Sequence, residues 1–239
     1  MKVRLRLFVT FLIFSGSVCA ETQSNYGIRS QISITKAVSG RWDVNFYGSD
    51  SALIDEKSHG HEKSLSDLQQ MFQVSPIYKY SPNFNFVFLG YTYQGSGFFL
   101  KDSAYENRLF QQVVYRKNSD FGVFTHRVRL ETRFIQNEEP NESLVSTRLR
   151  YQLGFLMPLK GDRIENGKFY LNAYNEFFFN LTGAGNSVFN DNWSYIGIGY
   201  NTLRYGKFET GPLVQRAVIN HHHDVRYTTM LQVNWSYDF

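Results

Sequence analysis

The chain has 239 residues, with 25 Lys and Arg against 21 Asp and Glu, 17% aromatic residues, 5 prolines and one cysteine. A lone Cys19 excludes an intramolecular disulfide, and if it leaves with a cleaved leader the mature chain is expected to hold no cysteine-ligated metal either. Three of the basic residues, Lys2, Arg4 and Arg6, stand at the very start, so the rest of the chain is nearly neutral and the sequence pI of about 9.0 is no nucleic-acid signal.

Residues 1–20 predict a cleavable signal peptide. The basic start is followed by an apolar stretch from Leu7 to Phe14, broken by Thr10, and then by Val18-Cys19-Ala20, a small-residue cleavage site before Glu21. The apolar run is too short to cross a bilayer as a helix. Lipidation of Cys19 is the rival reading. Val18 before that cysteine and Gly16 three positions upstream, where a leucine is usual, speak against it. Residues 21–239 are then expected to form one domain without thiol chemistry.

From there the chain reads as strands. Runs with period-two alternation fall at 26–34, 40–48, 68–79, 83–94, 105–116, 121–134, 144–157, 168–181, 190–203, 206–218 and about 225–239. No helical period competes over any long window. Short turns are expected near 35–39, 80–83, 117–120, 158–167 and 204–206. Longer links alternate with them at 49–67, 95–104, 135–143, 182–189 and 219–223. Such asymmetry is that of an antiparallel barrel with short turns at one end. An even strand number follows if both chain ends lie at that end. We therefore expect about ten strands, with 26–34 as an extra segment, or twelve as the alternative.

The two faces of these strands differ in chemistry. Phe124, Val128, Leu130 and Phe134 alternate with Arg127, Arg129, Glu131 and Arg133. Likewise Val145, Leu149, Leu153 and Phe155 alternate with Arg148 and Arg150. Glu106 and Arg108 share a face, and Glu176 adds a carboxylate to the polar face of 168–181. A closed sheet with its apolar face outward needs hydrocarbon around it, because water tolerates no such belt on a monomer. An arginine on the lipid face near mid-membrane costs roughly 2–4 kcal/mol, which assigns the charged face to the lumen. The expected cluster is Glu106, Arg108, Arg127, Arg129, Glu131, Arg133, Arg148, Arg150 and Glu176, as a salt-bridged filling or as a constriction that favours anions.

In the last strand Leu231, Val233, Trp235, Tyr237 and Phe239 share one face. A terminal Phe after alternating aromatic residues resembles the signal read by the assembly machinery of outer-membrane barrels. The expected location is accordingly the outer membrane of a Gram-negative bacterium, with its lipid and lipopolysaccharide as surroundings and no nucleic-acid partner.

Several stretches in order carry a family resemblance. They are Leu89-Gly90-Tyr91-Thr92-Tyr93, Glu106-Asn107-Arg108-Leu109-Phe110-Gln111 and the run from His126 to Phe134. Arg148-Leu149-Arg150-Tyr151 and Tyr174-Asn175-Glu176-Phe177-Phe178 continue the series. From about residue 68 onward the chain resembles the uncharacterised outer-membrane barrel family known as domain of unknown function 2490. The resemblance implies a fold and a location but no activity. One departure is Asn192-Trp193, where the family pattern leads to Asn-Arg.

Other chemistry is weakly represented. His59, His61 and His221 to His223 fall in expected loops, where solvated imidazoles are the ordinary reading, and His126 has outward parity. Neither Ser194 nor Ser236 has an evident base, so no enzyme activity, metal or cofactor is expected. The sequence leads to an all-β membrane barrel that acts as a narrow channel for small, more often anionic solutes. The alternatives are a structural or adhesive barrel with a plugged lumen, and a lipid-modifying enzyme.

Overall fold

The computed structural model describes residues 22–54, 65–95, 104–136, 143–161, 163–183, 187–220 and 223–239. The leader at 1–20, His59, His61, His221 and His222 lie outside them. Each alternating run forms a strand, since one-face-apolar segments with so little proline can satisfy their backbone only by pairing along their whole length. The strands are β1 (Thr22–Ser39), β2 (Trp42–Ile54), β3 (Leu65–Lys79), β4 (Phe84–Gly95), β5 (Tyr105–Ser119) and β6 (Gly122–Gln136). They continue as β7 (Ser143–Pro158), β8 (Lys168–Thr182), β9 (Phe189–Asn201), β10 (Lys207–Val218) and β11 (Val225–Asp238). The described residues contain no helix.

Sequential neighbours pair antiparallel, and β1 closes the sheet against β11 as a parallel pair. The strand number is therefore eleven, which corrects the expected ten or twelve. The segment 26–34 is the middle of a full wall strand, bonded to β2 on one side and β11 on the other. The parity argument fails because β1 starts beside Val225, at the long-link end, whereas β11 finishes at the short-turn end. A parallel ladder still satisfies every backbone group, with slanted bonds, so an odd number can close. At the seam Phe239 N donates to Thr35 O at 2.9 Å and Ala37 N to Phe239 O at 2.8 Å.

The connections alternate between two ends as expected, but 35–39, expected as a turn, is the end of β1, and the chain reverses at 40–41 instead. Links at 40–41, 80–83, 120–121, 159–167 and 202–206 join one rim, and those at 55–64, 96–104, 137–142, 183–188 and 219–224 join the other. At the first rim Gly206, with φ of 76°, takes the left-handed turn, and a Cβ there would stand 2.1 Å from Ser236 O.

Outward positions carry an aliphatic waist that includes Ile28, Leu109, Val128, Leu130, Ile196, Leu231 and Val233, all exposed. Rings gather outside it at both ends. Trp42 and Tyr78, Phe84 and Tyr115, Phe169 and Tyr200, and Phe208 and Trp235 meet near the short-turn rim. Tyr93 and Tyr105 stack at the other rim, where Tyr26, Phe134 and Phe189 also point outward. His126 is outward too, with Nδ1 2.9 Å from the Tyr151 hydroxyl.

One irregularity reverses a face. Val87 pairs with Gln112 and Gly90 with Phe110, so β4 holds one extra residue there. Phe88 and Leu89 are both exposed as a result, and the alternation changes phase. Thr92, 1% exposed, thereby points inward with Gly90.

Candidate functional site

An eleven-stranded barrel is wider than the eight-stranded kind that side chains just fill and far narrower than the sixteen-stranded kind with an aqueous channel. Long polar side chains can occupy such a lumen without closing it. The inward residues of β5 to β8 do so as an ion-pair network.

Glu131 is its centre. The side chain is fully buried, with Arg148 Nη2 at 2.6 Å from Oε2 and Arg150 Nη1 at 2.8 Å from Oε1. Arg129 Nη1 lies 3.5 Å from Oε1. Arg150 also reaches Glu176, with Nε 2.7 Å from Oε1, and Arg127 Nη2 meets the same oxygen at 2.8 Å. Glu106 holds Arg108 and Arg133, each through Nε at 2.5 Å from Oε1. All nine charged residues singled out from the sequence thus face the lumen, in two connected groups: six residues joined through Arg150, and Glu106 with Arg108 and Arg133. Charge-assisted bonds of this kind fix guanidinium planes as well as neutralising them.

Amides and rings complete the positioning. Arg129 donates to Gln112 Oε1 at 2.7 and 2.9 Å and to Gln73 Oε1 at 2.9 Å. It also lies over Phe110 at 4.1 Å, and Arg150 lies over Phe178 at 4.5 Å. Phe110 sits opposite Gly90 and Tyr170 opposite Gly199. In each case the ring occupies the space that a side chain on the glycine would take.

Among the described residues, the wall encloses at least two cavities. The larger, about 760 Å³, is towards the long-link end and is lined by the six arginines of the network together with Arg29 and Arg226. Its carboxylates are Glu176 and Asp191, with Glu106 and Glu131 behind in the ion pairs. Among the described residues, eight cations against four anions leave this vault positive. The smaller cavity, about 260 Å³, is at the short-turn end beside Tyr170, Lys207 and Glu209. Tyr195, Leu213 and Met230, cross-strand neighbours on β9, β10 and β11, pack with Leu53, Tyr174 and Trp193 as an inward layer on that side of the wall, and Gln232 is buried on β11. Glu209 accepts from Asn172 at 3.0 Å and Asn234 at 2.9 Å, which ties β8, β10 and β11 across this layer.

Sequence reasoning did not single out Arg29, Tyr195 or Glu209. Arg29 alternates with Ile28 and was readable by the same parity rule, had β1 been counted as wall. Glu209 alternates with Phe208 and was readable in the same way, whereas Tyr195 carries no signal of its own, because a tyrosine suits either face. Trp193, where the family pattern leads to arginine, does face the lumen and lines the vault. Ser194 points outward and is bonded to Asn175, 2.7 Å away. The residues Leu231, Val233, Trp235, Tyr237 and Phe239 lie along the outer face of β11, with the last three rings in series.

A family model described as a protein of unknown function (DUF2490) matches residues 24–227. The match takes in β1 and β2 as well as the charged strands. Among curated proteins, none matches the chain.

Proposed function

Since the chain belongs to the DUF2490 family, which is uncharacterised, we propose its role from the barrel itself: an outer-membrane protein whose lumen admits small anionic solutes from the long-link side. The positive vault carries this reading. In a water-poor lumen walled by low dielectric, an excess of fixed guanidinium groups attracts anions and repels cations. The outer surface supports the membrane setting, because an aliphatic waist between two sets of rings fits hydrocarbon between two interfaces. The signal peptide would deliver the chain across the inner membrane. The C-terminal rings would be read by the barrel assembly machinery. Lipid and lipopolysaccharide are the expected surroundings, and no catalytic role is part of the proposal.

Recording from the folded protein in a planar bilayer tests it. A salt gradient should give small stepwise currents whose reversal potential favours the anion. Conductance should be low, since the inward Tyr195, Leu213 and Met230 narrow the lumen from the side of β9 to β11. A second reading has its own observation, the pairing of all six network arginines with carboxylates, which suits a barrel whose lumen is structural filling. Silence in a bilayer from correctly folded protein would favour that second reading and remove the first.

A further inference from the structure

Arg29 differs from the arginines of the network. It projects inward from β1, is 3% exposed and lines the vault. Among the described residues no carboxylate is within ion-pairing distance, and its Nε and Nη1 are buried without a hydrogen-bond partner. Nη2 reaches Ser49 Oγ at 3.5 Å, and the guanidinium lies over the Trp193 ring at 4.8 Å. A ring face offsets a fraction of the cost of desolvating a cation, and the rest calls for an anion.

We propose that Arg29 anchors a binding site for a sugar acid, a small carboxylate that carries hydroxyl groups. The inference rests on the reading that the vault admits anionic solutes, and it names the class. The carboxylate follows from the guanidinium, which offers N–H donors to one anionic group. The hydroxyls follow from what surrounds it. Gln69, Gln152, Gln215 and Thr228 line the same cavity, and amides both donate and accept, as sugar hydroxyls do. An apolar acid would leave their polar atoms unmatched once water was displaced, at the cost of each lost bond. Tyr47 adds a flat face against which the C–H surface of a sugar ring can lie. The volume of about 760 Å³ falls in the range of small-molecule sites.

The test uses the full barrel folded in detergent micelles, with Trp42→Phe and Trp235→Phe leaving Trp193 as the sole tryptophan. Its emission is followed against glucuronate, glucose, acetate and sulfate. Glucuronate should give a saturable change at a concentration at least tenfold below that needed for the other three. Arg29→Met should lose at least tenfold in glucuronate affinity and yet unfold at a higher temperature, because it removes a buried charge without a partner. A structural arginine would do the opposite on the second count, so a lowered unfolding temperature overturns the site. Equal response to sulfate, acetate or glucose, or wild-type affinity in Arg29→Met, overturns it as well. Arg29→Gln repeats the measurement should the methionine variant misfold. If glucuronate fails while the same preparation prefers anions in a bilayer, the Arg29 site falls and the vault reading stands. If both fail, both fall.

Discussion

Gly90 and Phe110 face each other across β4 and β5, and the ring takes the room that a side chain at Gly90 would need: a Cβ there would stand 2.2 Å from Cζ of Phe110. The ring cannot retreat, because Arg129 lies over it at 4.1 Å. Gly90→Ala should therefore destabilise the barrel by about 1–3 kcal/mol, the usual cost of overpacking. Urea unfolding in micelles measures it. The double variant Gly90→Ala/Phe110→Leu should recover part of the loss, and strict additivity of the two single changes would refute the contact.

Among the described residues, Glu131 is the one carboxylate shared by three arginines. Glu131→Gln keeps the shape and removes the charge, leaving Arg129 and Arg148 without a carboxylate partner. Removing one partner of a buried pair costs about 3–5 kcal/mol. The loss should appear as a lower temperature at which the folded band converts to the unfolded band on a gel. An unchanged transition would mean that water, rather than Glu131, solvates these arginines.

Selectivity itself should depend on Arg148 and Arg129. Charge reversal there, Arg148→Glu or Arg129→Glu, should move the reversal potential towards cations. Since each change also breaks a pair, recordings need to be taken from protein that still shows the folded gel band. No movement in either variant would remove these residues from the permeation path.

Leu130 and Glu131 are neighbours in β6 and face opposite sides, the first 39% exposed and the second buried. If hydrocarbon surrounds the waist, Leu130→Arg should cost roughly 2–4 kcal/mol in lipid vesicles. The same change would be nearly neutral on a surface facing water. Refolding yield and unfolding free energy in vesicles distinguish the two settings.

Phe239 closes a series of rings with Tyr237 and Trp235, and its backbone bonds to Thr35 and Ala37. Phe239→Ala keeps those backbone bonds. It should leave the stability of the finished barrel within about 1 kcal/mol, as for other exposed positions, and slow its appearance in the outer membrane of cells. Pulse-chase of heat-resistant protein reads the rate, and an unaltered rate would remove the side chain from recognition.

Much of this was legible in the sequence, since alternation is a local property. A side chain's face follows from counting by two along a strand, so the apolar exterior and the inward position of Arg127, Arg129, Glu131, Arg133, Arg148 and Arg150 were fixed before any contact was known. The order of short and long links was local too. Counting fails where one residue is inserted, and the stretch Phe84, Phe86, Phe88 followed by Leu89, Tyr91 and Tyr93 records such a change of phase at the β4 bulge.

Closure, by contrast, belongs to the whole sheet. Whether β1 joins β11 in parallel depends on the circumference and stagger of eleven strands, which no single segment encodes. The same circumference sets how far an arginine can reach. That is why the sharing of Glu131 and Glu176, the packed layer at Tyr195 and the isolation of Arg29 emerge only in three dimensions. Local alternation determines which side a residue faces, and the radius of the closed barrel decides whom it meets there.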